Sequence, residues 1–351
     1  MRRLLAALLI LVATPIAAAD AVDGVPVVTS LDAAALPVAQ VHRRWFRAGE
    51  SRTGQPWLVP VVIVRGAKPG PRLLVTAGIH GDELNGIAVV HNLAATDPAT
   101  LAGTLVLVSG LNTPGLLQGT REFATDASRG AANLNRALPG KADGGTADRY
   151  ARALWDGLLR PNADAAVDLH TQSRGTAYVL YAFASTARTR RMAELVGPDV
   201  IKLDKGDKGT VENELTLAAI PAITFELGAP EVFDATIVKR GDAGLRNLMT
   251  EMGMLGGPVR AMPPAFTGND LVNVNAPRGG WATLLAPLGS DVVAGQPLAT
   301  IADAFGGVVA TVTAPRAGRI VSTFTDPRRD PGTLIARIVF RSDDPKCVDG
   351  C

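Results

Sequence analysis

Residues 72–90 read RLLVTAGIHGDELNGIAVV, and the character of the chain changes twice along this stretch. RLLVTA is apolar and β-prone, the pattern of a strand buried on both faces. GIAVVHNLAA, from residue 86 onward, reads as a helix. Between them GIHGDELNG sets His80 and Glu83, two side chains of metal-ligand type, where the strand hands over to the helix. Gly78, Gly81 and Gly86 let the backbone bend closely there.

Working outward, the same alternation recurs. WLVPVVIVR at 57–65 predicts a strand and GAKPGP at 66–71 a turn. LAGTLVLVSGLN at 101–112 is a second buried strand, expected to break into a loop at NTPG. TADRYARALWDGLLR at 146–160 carries a helical stripe of Ala, Leu and Trp. ADAAVDLH at 163–170 is a strand ending in a histidine, and IPAITFELG at 220–228 one ending in a glutamate. Alternating strands and helices predict an α/β fold whose mostly parallel sheet is covered on both faces. In such sheets functional groups gather at the carboxyl ends of the strands. His80, Asn112, His170 and Glu226 each follow an apolar run at such an end.

The character shifts at GGPVRAMPPAF. Beyond it, short β-type runs with frequent Gly and Pro predict a small all-β domain over 266–340, followed by a tail at 341–351. Residues 20–40 read as a lead-in to a catalytic domain at 41–255. The N-terminal MRRLLAALLILVATPIAAAD has two arginines, an apolar run and small residues before Asp20, the pattern of a secretory signal peptide over 1–19. The apolar run is shorter than the roughly 20 residues a bilayer core needs, and no later segment is long and apolar enough to span one. The expected location is therefore secreted or periplasmic.

The formal charge of +2 resides in Arg2 and Arg3, leaving 33 of the 35 basic residues to balance 33 acidic ones. A neutral chain without a basic run gives no footprint for nucleic acid or for an anionic membrane. Cys347 and Cys351, the only cysteines, could close a small disulfide in an exported protein.

A catalytic metal site of the zinc type wants three protein ligands and an open position. His80 and Glu83 supply two. His91 lies eight residues past Glu83, about 12 Å along a helix, and His42 stands in a polar HRR context, so both read as structural. His170 ends a buried strand, with Asp168 two residues earlier to steady it. Glu226, flanked by Phe225, Leu227 and Gly228, is the candidate general base; Glu212 and Glu214 in KGTVENEL are rivals that nothing apolar frames in sequence. The GTVE turn is expected to wall the substrate pocket. Arg136 offers a planar fork of donors for a carboxylate, with Asn135 beside it.

GIHGDELNG, NLNRALPG, DLHTQS and ITFELG together resemble the succinylglutamate desuccinylase/aspartoacylase family, relatives of the M14 zinc carboxypeptidases, over roughly 57–255. The resemblance implies a carboxypeptidase-like α/β/α sandwich with a mixed, mostly parallel sheet. It implies one Zn²⁺ held by His80, Glu83 and His170, Glu226 as base, and an Asn135–Arg136 pair that binds the substrate carboxylate. It further implies an arginine for the oxyanion, for which Arg121 fits best by its place after the NTPG loop, with Arg129 as its rival. The family often has Asp where Asn133 stands. DVVAGQPLATI and VTAPRAGRIVS resemble a lipoyl-type barrel-sandwich, but Pro315-Arg316 stands where the modified lysine would be, so no lipoyl or biotin attachment is expected. In the family this β domain borders the mouth of the active site.

The expected activity is hydrolysis of the amide of an N-acyl amino acid. The runner-up is an M14-type carboxypeptidase acting on peptides or cell-wall peptides. A non-catalytic periplasmic carboxylate-binding protein is the third reading, and it would have no use for a base beside the metal.

Overall fold

The computed structural model describes residues 20–126 and 130–351; the expected signal peptide at 1–19 lies outside the described residues. Among these, eleven strands form one sheet. Its centre is four parallel strands in the order Ala102–Val108, Lys68–Ala77, Ala165–His170 and Ala222–Leu227. Pro56–Arg65 and Leu180–Ala184 flank them antiparallel. Val200–Leu203 and Phe266–Gly268 extend one side, both parallel to Leu180–Ala184. Gln40–Glu50, Val25–Val28 and Ala21–Val22 extend the other. The sheet is thus mixed, with its parallel order concentrated where the candidate residues lie.

The central strands are continuous apolar runs because both faces are covered, and their period of two sends alternate residues to separate cores. Leu73, Val75, Leu105, Val167, Leu169, Ile223 and Phe225 pack on one side with the helices Asn85–Ala94, Ala187–Val196 and Ala235–Glu251. Leu74, Val106, Val108, Ala166 and Ala222 pack on the other with Thr146–Leu154 and Val211–Leu217. Each such fully buried Leu, Val or Ile contributes about 1.5–3 kcal/mol. The layers form the expected α/β/α sandwich. The alternation has a second effect: Thr76, Asp168, His170, Thr224 and Glu226 all fall on the second face.

Two short helices stand where the sequence suggested irregular chain. NTPG does not open a loop: Asn112 caps the helix Thr113–Gln118, its Oδ1 accepting from the Gly115 N–H at 2.9 Å, with Pro114 in the first turn. GTVE is not a free turn: Thr210 caps the helix Val211–Leu217. The expected helix at 146–160 runs to Leu154, then widens into a π-type turn, Trp155–Leu159.

The C-terminal region is antiparallel β. Val308–Thr313, Pro297–Ala302, Gly280–Leu284 and Arg328–Arg329 form one sheet. Gly318–Phe324, Leu334–Phe340 and Asp270–Asn275 form another, with Leu298, Ile301, Ile320, Ile335 and Ile338 between them. Thr176–Tyr178, from the α/β part, joins the second sheet by pairing with Gly318–Phe324 in the register Ala177↔Thr323. Tyr178, Val179, Tyr181, Val200, Val321 and Val339 close an apolar seam between the two parts. Phe266–Gly268, read above with the all-β region, edges the large sheet instead. Arg316 stacks over Phe340 at 4.0 Å. The tail is held in place: Cys347 and Cys351 form a disulfide, and Asn269 bonds the carbonyls of Ser342 and Cys347. No helix among the described residues is long and apolar enough to cross a membrane.

Candidate metal centre and active-site cleft

The turn after Ala77 is built around two glycines. Gly78 has φ +71°, in the left-handed region. A Cβ on Gly81 would lie 2.1 Å from the carbonyl carbon of Gly115, so only glycine fits against the capped helix. Asn112 Nδ2 donates to the Ile79 carbonyl at 3.2 Å, fixing the turn from the neighbouring strand end. On its far side Asn85 donates to the Leu227 carbonyl at 2.8 Å and accepts from the Asp234 N–H at 2.8 Å. The His80 turn is thereby joined to the strand end that bears Glu226.

His80, Glu83 and His170 converge. Their ligand atoms all lie within 4.8 Å of one another, and all three residues are buried. The two Nδ1 atoms face one carboxylate: His80 at 2.8 Å from Glu83 Oε1, His170 at 2.9 Å from Oε2. Each outer nitrogen is held as well. His170 Nε2 meets Asp168 Oδ2 at 2.7 Å, and the Thr76 hydroxyl donates to Asp168 Oδ1 at 2.6 Å. His80 Nε2 lies 3.2 Å from Asn133 Oδ1, which also accepts the Asn135 N–H. An amide oxygen thus orients His80 where a carboxylate, Asp168, orients His170. Two imidazoles and a carboxylate, with their outer atoms oriented by acceptors, are a donor set suited to a divalent cation.

The electrostatics agree with that fit. Burial alone would push the Glu83 carboxyl upward, but the His80 and His170 imidazoles outweigh it and hold it well below the usual carboxylate range. Burial opposes charge on His170, yet Asp168 and Glu83 raise its pKa well above the ordinary imidazole value. The pocket is therefore arranged to hold positive charge.

Glu226 pairs with His170 across adjacent parallel strands. It is 8% exposed, and its Oε2 is buried with no hydrogen-bond partner among the described residues. Burial pushes its pKa up to about 8; the His170 imidazole opposes the rise and the Glu83 carboxylate adds to it. Such a carboxylate, uncommitted and near neutral pKa, is suited to accept and return a proton.

Arg121 donates from Nη1 to Glu83 Oε1 at 2.9 Å and to the Ser173 hydroxyl, which puts its guanidinium at the ligand cluster. Arg129 lies outside the described residues. Asn135 Oδ1 accepts the Val211 N–H at 3.1 Å, and Arg136 pairs with the exposed Asp207 at 2.6 Å. His80, Glu83, Arg121, Asn135, Arg136, His170 and Glu226 line one cleft of about 580 Å³, together with Tyr178, Lys202, Asp204, Glu212 and Arg337. His91 is exposed on its helix and His42 bonds the Pro37 carbonyl, both away from the cluster. Sequence reading missed Arg337 and Tyr178, which meet across the seam between the two parts. It also set Glu212 aside as unframed, yet that carboxylate is buried.

Residues 69–252 match the family model described as the succinylglutamate desuccinylase/aspartoacylase catalytic domain. The N-alpha-acetyl-L-2,4-diaminobutyric acid deacetylase of Halomonas elongata is 25% identical over 274 residues, covering 70% of this chain and 74% of that protein. The succinylglutamate desuccinylase of Burkholderia orbicola is 28% identical over 216 residues, covering 57% and 62%. Among solved structures, the product-bound ectoine utilization protein EutE (DoeB) of Ruegeria pomeroyi superposes with a TM-score of 0.76 at 24% identity, covering 88% of this chain and 98% of that one. A succinylglutamate desuccinylase/aspartoacylase of Rhodobacter sphaeroides gives 0.75 at 23%, covering 86% and 96%. At these identities the structural likenesses bear on the fold. With more than half of its length in the family's catalytic domain, the chain belongs to the succinylglutamate desuccinylase/aspartoacylase family and is a hydrolase of the deacylase class.

Proposed function

We propose that this chain is an exported, zinc-dependent deacylase that hydrolyses the amide of N-acyl amino acids. The observation that carries the reading is the convergence of His80, Glu83 and His170 within 4.8 Å, on the same sheet edge as the unpartnered Glu226. The two curated relatives, one named for an N-acetylated and one for an N-succinylated amino acid, support the substrate class.

When bound by His80, Glu83 and His170, Zn²⁺ would supply a Lewis acid that polarises the scissile carbonyl and brings the pKa of water to about 7. Glu226 takes the proton of the attacking water on its free oxygen and returns it to the leaving amine. The Arg121 guanidinium stabilises the charge that builds on the carbonyl oxygen. Asn135 and Arg136 hold the substrate carboxylate. The Arg136–Asp207 pair is solvent-exposed, and such pairs are worth only about 0–1 kcal/mol, so the fork exchanges Asp207 for substrate at little cost. Asp168 and Asn133 keep the imidazoles in their ligand orientation.

Treatment with a chelator should abolish hydrolysis of N-acetyl and N-succinyl amino acids, and Zn²⁺ should restore it. A metal-free preparation of full activity would remove the class. Export is supported by the sequence of residues 1–19 and by the Cys347–Cys351 disulfide, a bond characteristic of oxidising compartments. Cell fractionation should find the mature chain outside the cytoplasm, starting near Asp20; a cytoplasmic chain retaining Met1 would overturn this part.

A further inference from the structure

The cleft contains a second buried carboxylate that the proposed reaction does not use. Glu212 lies in the first turn of Val211–Leu217, 6% exposed, and lines the cleft with Thr210 and Thr224. Its Oε2 accepts the backbone N–H of Thr224 at 3.1 Å, and among the described residues no cationic side chain bonds to it. The other acids of the cleft are matched. Glu83 serves His80, His170 and Arg121; Asp204 pairs with Lys202, and Asp207 with Arg136. Among the described residues, only Glu212 and the base Glu226 of the cleft's acids lack a counter-charge in direct contact. Burial is the main influence on Glu212 and raises its pKa to about 7, while its charged neighbours Asp204 and Asp168 are acidic and add to the rise. A buried acid that bonds a backbone N–H and no cation favours an incoming cation.

Its place relative to the reacting groups is set by the sheet. Thr224 lies two residues before Glu226 on the same face and pairs with Asp168, two residues before His170. Thr224, which Glu212 bonds, therefore lies about 7 Å back along the strand from the base. Glu212 is also tied to the proposed carboxylate site, since Asn135 accepts the N–H of Val211, the residue beside it. A substrate held by its carboxylate at Asn135 and Arg136, with its amide at Glu226, has its side chain free to turn toward Glu212.

We infer that Glu212 is the side-chain specificity determinant of the cleft, and that the substrates are N-acyl amino acids whose side chain ends in an ammonium group. The inference rests on the deacylase reading and deepens it. An ammonium there donates a charge-assisted hydrogen bond to the carboxylate. A neutral side chain leaves the buried acid with the Thr224 N–H alone, which is how a polar pocket rejects an analogue lacking the matching group.

The test uses the zinc-loaded full chain and Nα-acetyl-L-2,4-diaminobutyrate, Nα-acetyl-L-ornithine and Nα-acetyl-L-lysine. Each is paired with a neutral analogue of similar length: Nα-acetyl-L-norvaline, Nα-acetyl-L-norleucine and Nα-acetyl-L-2-aminoheptanoate. At least one cationic substrate should exceed its neutral counterpart in kcat/KM by about tenfold or more, the scale of one good charge-assisted contact. Glu212→Gln retains an acceptor for the Thr224 N–H, and it should bring that ratio to within about twofold of unity, through KM for the cationic member. Should that variant be poorly folded by thermal melting, calorimetry on the wild type decides, with L-2,4-diaminobutyrate expected to bind about tenfold more tightly than L-norvaline. A wild type without preference for the ammonium, or a folded Glu212→Gln that keeps it, overturns the inference alone. A wild type that turns over none of the six overturns the deacylase reading beneath it.

Discussion

Glu226 and His80 stand at the same edge of the sheet, but they should fail differently. Glu226→Gln keeps the shape of the side chain and removes its capacity to take a proton. It should retain one zinc per chain by elemental analysis and lose about 10²–10⁴-fold in kcat. His80→Ala should lose metal and turnover together. A Glu226→Gln variant of ordinary activity would dismiss it as the base. Asp168→Asn acts one step further out: with the acceptor on His170 Nε2 weakened, zinc affinity should fall by about 10–100-fold in a chelator competition. His80, His170 and Glu226 were legible because each follows an apolar run, so strand pattern and chemical type coincide at one position. Glu212 was not. Its sequence neighbours in KGTVENEL are polar, and its enclosure comes from Thr224 and the sheet beyond, distant in the chain. Arg337 escaped for the same reason: it reaches the cleft only after the two parts have met.

Among the elements, the hinge between Lys68–Ala77 and Asn85–Ala94 is the most constrained. Gly81→Ala would drive a methyl group into the Gly115 carbonyl, which belongs to a helix that cannot yield without losing its Asn112 cap. Melting temperature and zinc affinity should therefore drop together in Gly81→Ala. If metal affinity stays at the wild-type level, the close approach does not set the ligand geometry. Asn112→Ala is milder, costing about 1 kcal/mol as an ordinary cap loss. The long strands and helices followed directly from apolar periodicity. The helices at Thr113 and Val211 were read as loop or turn because each is too short to show a helical stripe. Their signals were capping residues, Asn112 before a proline and Thr210 before acids, which outweigh periodicity in elements of this length.

For the whole molecule, the buried groups of the cleft set a pH dependence with a definite sign. Without metal, Glu226 and Glu212 have folded pKa values raised to about 8 and about 7, and His170 is raised well above its ordinary value. The folded chain then binds more protons than the unfolded chain between roughly pH 5 and 8, so stability falls as pH rises through that window. Glu83 has the opposite sign: it contributes above the ordinary carboxylate pKa and is lost as pH falls below it. Chelator-treated protein should accordingly melt at lower temperature at pH 8 than at pH 5.5. Zinc-loaded protein should show a flatter profile, because the cation replaces the bound protons. A metal-free melting temperature that climbs across this range would contradict the assigned charge states. The overall α/β sandwich with an appended β region was legible from the composition change near residue 256. The seam was not, since nothing in Thr176–Tyr178 announces a partner in Gly318–Phe324.

That borrowed strand bears on the order of events during biosynthesis. Ala177 waits for Thr323, and the cleft wall waits for Arg337 and Cys351, so a nascent chain emerging from the ribosome cannot finish its pocket until those residues have been made. Contacts so distant in sequence form late and slowly. Under the export proposed above, maturation of the catalyst then belongs to the far side of the membrane.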